Sequence, residues 1–516
     1  MDRSVFMFVF LAGWTKAADV LFVAPLPAVS HYRMLEPLML GLAERGHRVT
    51  VLSHYPQKRP VPNLTDVSLR GIVPAYELGF ARWNLLEDAW DTFTHGAEHC
   101  SEIVSSEVVQ RLLREDRRFD LVFLEIMDSD CYLGFPKRYS APYVLFSSSA
   151  LPAWIGDWIR NPTESAYVPE PFCRVGGRLD FLSRMRNVLC QGLYRFLNYL
   201  YNTRVAVDVV REHFHSDSDT LVDLKKNVSM IFVNSFHAFG PVRPMLPNVI
   251  EIGGIHIRDP EPIPEDIEKF LNESTEGVIV FSMGSMVKAH TLAPQKRDAF
   301  VKAFAGLRQR VLWKWESDLP DAPPNVMVVP WLPQSDVLGH PNVKLFLAHG
   351  GIHGVMEAVH HGVPLLGIPL YADQKGNLLN LEAAGAARLL ELDEITPDSL
   401  STAIGDMLDN GGYTENAKRL SRIMRDRPMP PLEQAIFWTE YILRNGAPAS
   451  AAPLLRWYQH LLLDVFAACG LFCISIYFLF RYIKFFKDNV MKISFFRPPP
   501  SAVDDSKQGC NDSKRK

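Results

Sequence analysis

Residues 19–53 contain two short apolar runs separated by an amphipathic segment. The runs cover residues 19–24 and 47–53 and have the composition of buried strands. Between them, residues 31–45 place apolar side chains at helical spacing, and Gly46 ends the pattern. A strand, a helix and a strand within about 35 residues make a βαβ unit, which requires parallel strands. The chain is therefore expected to fold as an α/β protein.

The same alternation continues in two further parts of the chain. In the first part, apolar runs predict strands at residues 119–126 and 143–147. Gly253, Gly254 and the proline-rich residues 260–264 then interrupt the pattern, which is typical of a linker. A second set of strands, alternating with helical stretches, is predicted at residues 278–282, 311–315, 326–329, 345–348, 364–368 and 387–390.

Two such blocks predict two doubly wound domains, at residues 18–256 and 265–445. A chain of 516 residues is long enough for two domains of this size. Open α/β sheets bind ligands at the carboxyl ends of their strands. We therefore expect the two domains to face each other across a cleft that holds the binding site.

Residues 151–214 are rich in aromatic side chains and lack the strand rhythm. We expect this stretch to be mostly helical. Core packing is the favoured explanation of its aromatic content, with the wall of an apolar ligand pocket and a membrane-facing surface as alternatives. The aromatic residues concerned are Trp154, Trp158, Phe172, Phe181, Tyr194, Phe196, Tyr199 and Tyr201.

Both ends of the chain carry segments that point to a membrane. Residues 1–17 combine a basic start, an apolar run and small residues, which is typical of a secretory signal peptide. Residues 461–480 have Asp464 as their only charge and would span about 30 Å as a helix, the thickness of a bilayer core. We favour a transmembrane helix here over a buried core helix.

The tail at residues 481–516 is basic, and this sets the expected orientation. Positive charge on one side of a membrane span predicts that the tail is cytosolic and that residues 18–460 are lumenal, a single-pass type I topology. The terminal residues 514–516 are compatible with a retrieval signal for the endoplasmic reticulum or with a solvated basic end. Lumenal N-glycosylation sequons begin at Asn63, Asn227 and Asn272, whereas the one at Asn511 lies on the cytosolic side.

Charge and cysteine content exclude several classes of protein. The chain has 54 basic and 58 acidic residues, so there is no basic surplus for binding nucleic acid. A hydrophobic content of 47% argues against disorder. Seven cysteines without a CxxC motif do not form a disulfide scaffold. Pairing among the four lumenal cysteines is left open: Cys100, Cys131, Cys173 and Cys190.

The stretch at residues 346–374 carries the strongest chemical signal. A predicted strand ends at Ala348, and His349, Gly350 and Gly351 precede a helix. Glycine lets a ligand approach the backbone, and the helix N-terminus offers free N–H groups to a phosphate. Two turns further on, Glu357 is suited to accept hydrogen bonds from ribose hydroxyls. After the next strand, Asp373 and Gln374 can accept from and donate to the hydroxyls of a sugar.

This stretch resembles the signature of the UDP-glycosyltransferases, a membrane-anchored family that includes UDP-glucuronosyltransferases and the UDP-glucosyltransferases of arthropods. The resemblance extends over nearly the whole chain and includes residues 281–285, 331–334, 338–341, 30–31 and 45–47. It implies a GT-B fold, with the acceptor bound by the N-terminal domain and the UDP-sugar by the C-terminal domain. No metal is expected, because helix N-termini and His349 would stabilise the charge on UDP. No other cofactor is implied, since the UDP-sugar is a co-substrate.

The resemblance also implies a role for each donor-site residue. Trp331 and Gln334 would contact the uracil, Ser285 a phosphate, His349 with Gly350 and Gly351 the pyrophosphate, Glu357 the ribose, and Asp373 and Gln374 the transferred sugar. The sequence departs from the family pattern at two positions. Ala348 replaces a usual Thr or Ser. His353 replaces a common Asn, so one phosphate hydrogen bond is made by an imidazole or is lost.

Glycosyl transfer needs a base, and His31 at the first βα loop is the candidate. Its imidazole titrates close to neutral pH, and a carboxylate is expected to orient it. Glu125 at the end of the predicted strand fits best, with Asp128 and Asp130 as alternatives. A lone histidine is more often structural, but the surrounding family pattern favours catalysis. Direct displacement would invert the anomeric centre.

Two other patterns resemble metal sites and are given less weight. The triplets at residues 128–130 and 217–219 both read Asp-Ser-Asp, and two unrelated matches show that the motif discriminates poorly. His95, His99 and Cys100 have helical ligand spacing but no second ligand cluster, so a solvated helix face is favoured. No metal site is predicted.

The expected activity is transfer of glucose or glucuronic acid from a UDP-sugar to a hydroxyl of a small lipophilic acceptor, for conjugation or detoxification. Residues 246–256 resemble the arthropod branch and favour UDP-glucose. Phenols, steroids, pigments and xenobiotics are all compatible acceptors; membrane lipid is a further partner, and homo-oligomerisation stays open. The alternative is a catalytically silent lumenal binding protein for apolar small molecules, anchored in the endoplasmic reticulum, but the presence of His31, Asp373 and Gln374 favours the enzyme.

Overall fold

The computed structural model describes residues 17–125, 127, 129–214, 220–448 and 452–495. Nearly all of the predicted signal peptide, the distal part of the basic tail, Asp128 and the triplet at 217–219 lie outside the described residues. The chain divides into two compact units between Ser450 and Ala451. The first unit contains two parallel sheets, and the second contains a long apolar helix.

The strands of the first unit follow the predicted alternation with helices. In chain order they are β1 (Asp19–Ala24), β2 (Arg48–Ser53), β3 (Leu64–Ser68), β4 (Leu78–Gly79), β5 (Leu121–Glu125), β6 (Tyr143–Ser147), β7 (Met230–Val233), β8 (Val249–Glu251), β9 (Val278–Ser282), β10 (Val287–Lys288), β11 (Arg310–Lys314), β12 (Val326–Val329), β13 (Val343–Ala348), β14 (Leu365–Gly367) and β15 (Ala387–Leu389).

The helices of the first unit connect these strands and cover both faces of the sheets, whereas the last two helices belong to the second unit. In chain order they are α1 (Val29–Glu44), α2 (Leu85–Ser105), α3 (Glu107–Arg114), α4 (Gly134–Tyr139), α5 (Ala153–Ile159), α6 (Phe181–Leu197), α7 (Arg204–Phe214), α8 (Thr220–Lys226), α9 (Glu265–Asn272), α10 (Pro294–Ala305), α11 (Gln334–Leu338), α12 (Ile352–His361), α13 (Gln374–Ala383), α14 (Pro397–Asp409), α15 (Gly411–Arg425), α16 (Pro431–Asn445), α17 (Trp457–His460) and α18 (Leu463–Phe495). A π-helical turn at Asn198–Thr203 joins α6 to α7.

Both large sheets are parallel and doubly wound, which confirms the predicted fold class. The first has the strand order β3-β2-β1-β5-β6-β7-β8, and the second has the order β12-β11-β9-β13-β14-β15. In each sheet the strand order reverses beside a first strand, β1 or β9, and such switch points place ligands at the carboxyl edge. The short strands β4 and β10 pair with each other and link the two halves of the first unit.

The strands form where the chain is apolar on both faces, because helices cover both sides of a parallel sheet. β5 and β6 are buried at every position. On one face of the first sheet the ring of Phe22 stacks on that of Phe123, with centroids 4.4 Å apart. Prediction from apolar runs therefore found most of the strands but missed the half-exposed edge strand β3, the short strands β4, β8 and β10, and the buried inner strand β7.

Helix α16, the last helix of the first unit, packs on α1 in the first half of the chain. A Cβ added at Gly41 would lie 2.8 Å from Cδ1 of Ile436, so glycine permits this close approach. Arg45 also donates a hydrogen bond of 2.5 Å to Glu433. The predicted boundaries at residues 256, 265 and 445 remain predictions, since the structure joins both halves in one compact unit.

The aromatic stretch at 151–214 is helical, as predicted, and part of it is core. Trp154 and Tyr194 stack with ring centroids 5.1 Å apart, and Phe93 of α2 packs edge-on against both. The outer face of α6 is different, because Phe181 and Phe196 are exposed there. The disulfide Cys173–Cys190 lies within this region, and Cys100–Cys131 joins α2 to the turn after β5, which resolves the pairing that the sequence left open.

The second unit consists mainly of α18. Its segment Leu463–Val490 has 28 residues, the most apolar 18 of which have a mean hydropathy of 2.1, and nearly all of its side chains are exposed. By length and composition it is able to cross a membrane. The helix contains residues 463–480 of the predicted span and continues without a break into the first part of the basic tail.

Candidate active site

A cleft of about 1070 Å³ lies between the carboxyl edges of the two large sheets. Residues from both halves of the first unit line it. The structure brings ten of the twelve predicted site residues to its wall: His31, Ser285, Trp331, Gln334, His349, Gly351, His353, Glu357, Asp373 and Gln374. The other two lie directly behind this wall. Glu125 is hydrogen bonded to His31, and Gly350 lies against Leu378 of α13.

On the N-terminal side, His31 and Glu125 are joined by a hydrogen bond. His31 lies in the first turn of α1, after β1, and Glu125 is the last residue of the neighbouring strand β5. The bond links Nδ1 of the imidazole to Oε1 of the carboxylate. Glu125 is 3% exposed and His31 is 15% exposed, so the pair presents only the imidazole to the cleft.

The alternative partner Asp130 is engaged elsewhere. Its carboxylate is fully buried, pairs with Lys225 and accepts a hydrogen bond of 3.1 Å from Thr203. Asp130 therefore cannot orient His31 without leaving a buried ammonium unpaired. Asp128 lies outside the described residues. Of the two candidates that the structure describes, Glu125 is the one joined to His31.

On the C-terminal side, the turn between β13 and α12 exposes a helix N-terminus to the cleft. Gly350 has φ of +87°, a conformation that favours glycine, and a Cβ there would lie 2.5 Å from Leu378. Gly351 is the N-cap residue and no side chain caps the first turn of α12. The free N–H groups and the helix dipole make this turn suited to bind an anion.

The ring of His349 fits between two glycines at this turn. A Cβ at Gly284 would lie 2.8 Å from its Cε1, and a Cβ at Gly351 would lie 2.6 Å from its Nε2. Burial, with a smaller effect of Lys314, lowers the pKa of His349 to about 4. The imidazole is thus neutral near pH 7 and acts as a hydrogen-bond donor rather than as a fixed charge.

Glu357 of α12 forms a buried polar cluster with Gln334 and His256. Nε2 of Gln334 donates a hydrogen bond of 2.6 Å to Oε2 of Glu357, and Nε2 of His256 lies 3.8 Å from Oε1. Burial raises the pKa of Glu357 to about 7, although the bond from Gln334 lowers it. The carboxylate is held in place while it keeps lone pairs for a ligand.

His256 is a site residue that sequence reasoning missed. It lies in the segment interpreted as a linker and packs edge-on against His353, with ring centroids 4.8 Å apart. Burial, followed by the charge of His256, holds the pKa of His353 well below its usual value. The sequence feature that could have indicated this residue is a histidine two residues after the pair Gly253-Gly254.

Asp373 and Gln374 lie at the start of α13 and use their side chains differently. Oδ2 of Asp373 accepts a hydrogen bond of 2.9 Å from Asn377. Burial raises the pKa of Asp373, whereas Asn377 and the nearby His31 lower it. Gln374 accepts hydrogen bonds from the backbone N–H groups of Leu370 and Tyr371 through its Oε1, so only its amide NH₂ remains for a ligand. Of this pair, Asp373 is therefore the residue that can accept a hydrogen bond from a ligand, and the amide of Gln374 is the group that can donate one.

Trp331 and Ser285 also line the C-terminal side of the cleft, together with Lys314, which the sequence analysis did not identify. Trp331 is 54% exposed at the mouth of the cleft. Nζ of Lys314, the last residue of β11, lies 5.8 Å from its ring centroid and donates a hydrogen bond to Glu316. Lys314 lines the cleft and adds a cation near the anion-binding turn.

The metal alternatives gain no support from the part of the chain that the structure describes. Within that part no three His, Cys, Asp or Glu side chains are grouped to hold a metal ion. Cys100 is in a disulfide. His95 and His99 line the cleft, where the His95 side chain is 48% exposed, so the preferred interpretation as a solvated helix face stays compatible with the structure.

Comparison with known proteins gives one consistent result. A family model described as "UDP-glucoronosyl and UDP-glucosyl transferase" matches residues 75–495. The chain is 37% identical over 491 residues to UDP-glucosyltransferase 2 of Dactylopius coccus, covering 92% of the chain and 94% of that protein. It is 33% identical over 474 residues to UDP-glucuronosyltransferase 2B17 of Rattus norvegicus, with coverages of 84% and 87%.

Solved structures share the fold at low sequence identity. The calicheamicin glycosyltransferase CalG4 matches with a TM-score of 0.55 and 17% identity, over 84% of this chain and 100% of that one. A UDP-glucose: anthocyanidin 3-O-glucosyltransferase in complex with UDP matches with a TM-score of 0.54 and 17% identity, over 83% and 99% of the two chains. At such identities the likeness concerns the GT-B architecture alone.

Proposed function

The chain belongs to the family of UDP-glucuronosyl and UDP-glucosyl transferases and is a UDP-glycosyltransferase of GT-B fold, and on this basis we propose that His31 is its catalytic base. The observation that carries the proposal is the His31–Glu125 pair on the wall of the cleft, within electrostatic range of Asp373 on the other wall. The base and the sugar-binding carboxylate thus belong to different halves of the first unit. An acceptor hydroxyl and a donor sugar would meet between them.

The donor is proposed to bind along the second sheet. Its pyrophosphate would lie at the N-terminus of α12, with hydrogen bonds from His349 and Ser285 and from the backbone at Gly350 and Gly351. The ribose would bind Glu357, which Gln334 already orients. The uracil would stack on Trp331, and the sugar would lie beside Asp373 and Gln374. His353, in place of the common Asn, would donate to a phosphate oxygen through its Nε2, which has no hydrogen-bond partner among the described residues.

In the proposed reaction each bond formed and broken, and the transferred proton, is accounted for by the two substrates and the residues described above. The acceptor oxygen forms a bond to the anomeric carbon while its proton passes to the imidazole of His31. The bond from the anomeric carbon to UDP breaks, and UDP leaves with the electron pair. Glu125 stabilises the imidazolium, in the manner of the carboxylate of a catalytic triad. The α12 N-terminus and His349 stabilise the charge on UDP, and the product is a β-glycoside if the donor is α-linked.

We infer that glucose is the transferred sugar. The support is the 37% identity to a UDP-glucosyltransferase and the arthropod-like segment at residues 246–256. The test uses the full chain in membranes with 4-methylumbelliferone and a panel of UDP-sugars, with proton NMR of the product. A β-glucoside is expected. Preferential transfer of glucuronic acid would overturn the donor assignment, and an α-glycoside would overturn the inverting mechanism.

We also propose a type I topology in the membrane of the endoplasmic reticulum, with the catalytic unit lumenal and a role in conjugation of lipophilic compounds. The apolar segment of α18 and the basic residues from Arg481 onward support this. Asn227 and Asn272 are exposed and available for glycosylation. Protease treatment of sealed microsomes should leave the catalytic unit intact and remove only the tail. The silent binding protein is not supported, because the catalytic and sugar-binding residues all line or adjoin one cleft.

A further inference from the structure

One face of α2 lines the acceptor side of the cleft with polar groups that the reaction above does not use. The residues on this face recur at intervals of three and four: Asp88, Asp91, Thr92, His95, Gly96 and His99. Such spacing places them along a single stripe of the helix. The stripe belongs to the half of the unit that carries His31, so an acceptor bound at His31 has this wall beside it.

The carboxylates of this stripe are already paired inside the protein. Asp88 binds Arg174. Asp91 accepts a hydrogen bond from the hydroxyl of Tyr76, and its other oxygen lies 2.8 Å from Nδ1 of His95. These contacts fix the ring of His95, and His99 stacks on that ring with centroids 6.0 Å apart. His99 is therefore a positioned imidazole on the wall of the cleft.

His99 is the member of the stripe whose hydrogen-bonding capacity is unused. Its Nδ1 is enclosed and forms no hydrogen bond in the described part of the chain, so the ring would meet a ligand in the cleft through its other nitrogen, Nε2. Burial and the neighbouring His95 lower its pKa, so the ring is neutral near pH 7. A neutral imidazole both donates and accepts, and a hydroxyl group does the same. Glu98, Glu102 and Asp91 lie within electrostatic range and disfavour an anionic ligand group here.

The rest of the acceptor wall is apolar and aromatic. Phe172 and Met127 line it, and the rings of Trp83 and Tyr371 lie with centroids 6.1 Å apart where the two halves meet. Flat aromatic ligands pack well against such surfaces. We propose that His99 recognises a second hydroxyl on a neutral aromatic acceptor whose first hydroxyl lies at His31, so that the preferred acceptors are aromatic diols rather than monohydroxyl compounds or aryl acids. The inference rests on the acceptor site proposed above.

The test compares 7-hydroxyflavone with 4′,7-dihydroxyflavone, which differ by a single hydroxyl. Calorimetry on the detergent-solubilised full chain gives the Kd of each flavone without any UDP-sugar. We expect the wild type to bind the diol about threefold to tenfold more tightly, the range of one net hydrogen bond. In His99→Phe this ratio should fall to about one, and in His99→Gln, which keeps a donor and an acceptor, it should lie between. The exposed neighbour Glu98, substituted as Glu98→Gln, is the matched control and should keep the wild-type ratio.

An unchanged ratio in His99→Phe would overturn the inference, as would equal affinities in the wild type. His99→Gln gives the same decision if the larger change impairs folding. Because the affinities are measured without a donor, this result is separate from the proposed function. A wild type that prefers the diol but glycosylates neither flavone would contradict the acceptor reaction and leave the assignment of His99 in place.

Discussion

Nδ1 of His31 is hydrogen bonded to Oε1 of Glu125, a residue 94 positions further along the chain. The two side chains meet because β1 and β5 are neighbours in the first sheet and both end at the same edge. Glu125 is buried and His31 is partly exposed to the cleft, so the carboxylate orients an imidazole that lines the cleft. This geometry is that of a general base with an orienting acid.

Glu125→Gln should lower transfer between about 10²-fold and 10⁴-fold, because an amide does not stabilise the imidazolium that forms in the reaction. UDP affinity should stay at the wild-type value, since Glu125 lies behind the acceptor wall. Steady-state kinetics with calorimetry for UDP separates the two quantities. Asp130→Asn is the matched control: it should lower the melting temperature by weakening the buried pair with Lys225, without a selective loss of kcat.

The sequence predicted most of the strands that apolar side chains surround on both faces, but it missed the fully buried strand β7. β1, β6, β9 and the partly buried edge strand β12 have the predicted bounds, whereas the edge strand β3 alternates exposed and half-buried residues and carries no apolar run. The site residues on glycine turns were predicted because their spacing is local. His256, Lys314 and the pairing of Gln374 with the backbone were missed, because each depends on contacts between segments far apart in the chain or on a side-chain conformation.

Gly350→Ala should destabilise the protein by about 1–2 kcal/mol or more, because an L-residue at φ of +87° is strained and the added Cβ meets Leu378. The affinity for UDP should fall in the same variant. Differential scanning fluorimetry with and without UDP measures both effects. Gly405→Ala in α14, where nothing lies within 4 Å of the added Cβ, should leave both unchanged or raise stability slightly.

Glu357→Gln should raise the KM for the UDP-sugar about tenfold to hundredfold, because ribose hydroxyls lose a charged acceptor. In the wild type the same KM should fall as the pH rises through about 7, since burial raises the pKa of Glu357 to about 7 and only the ionised form accepts from both hydroxyls. The variant should show a flatter pH profile. Glu415→Gln, at an exposed position of α15, should behave as the wild type, and an equally steep profile in Glu357→Gln would assign the ionisation to another group.

Glu170→Gln should change how stability depends on pH. Burial raises the pKa of Glu170 from 4.5 to about 7, although Arg243 lowers it. Because the folded state favours the protonated form, this contribution to stability is fully present below about pH 4.5 and is lost as the pH rises through about 7. The melting temperature of the wild type, relative to that of the variant, should therefore decline from pH 5 to pH 8. A constant difference between the two proteins across that range would show that Glu170 does not titrate there.

The most direct test of the account is His31→Ala, with transfer and UDP affinity measured on the same preparation. Because His31 is proposed to accept the proton and the N-terminus of α12 to bind the donor, glycosyl transfer should fall by at least about 10²-fold. The Kd for UDP should stay at the wild-type value. His237→Ala, an exposed histidine paired with Glu251, serves as the control and should retain full activity. Undiminished transfer by His31→Ala, with UDP bound normally, would contradict the central claim.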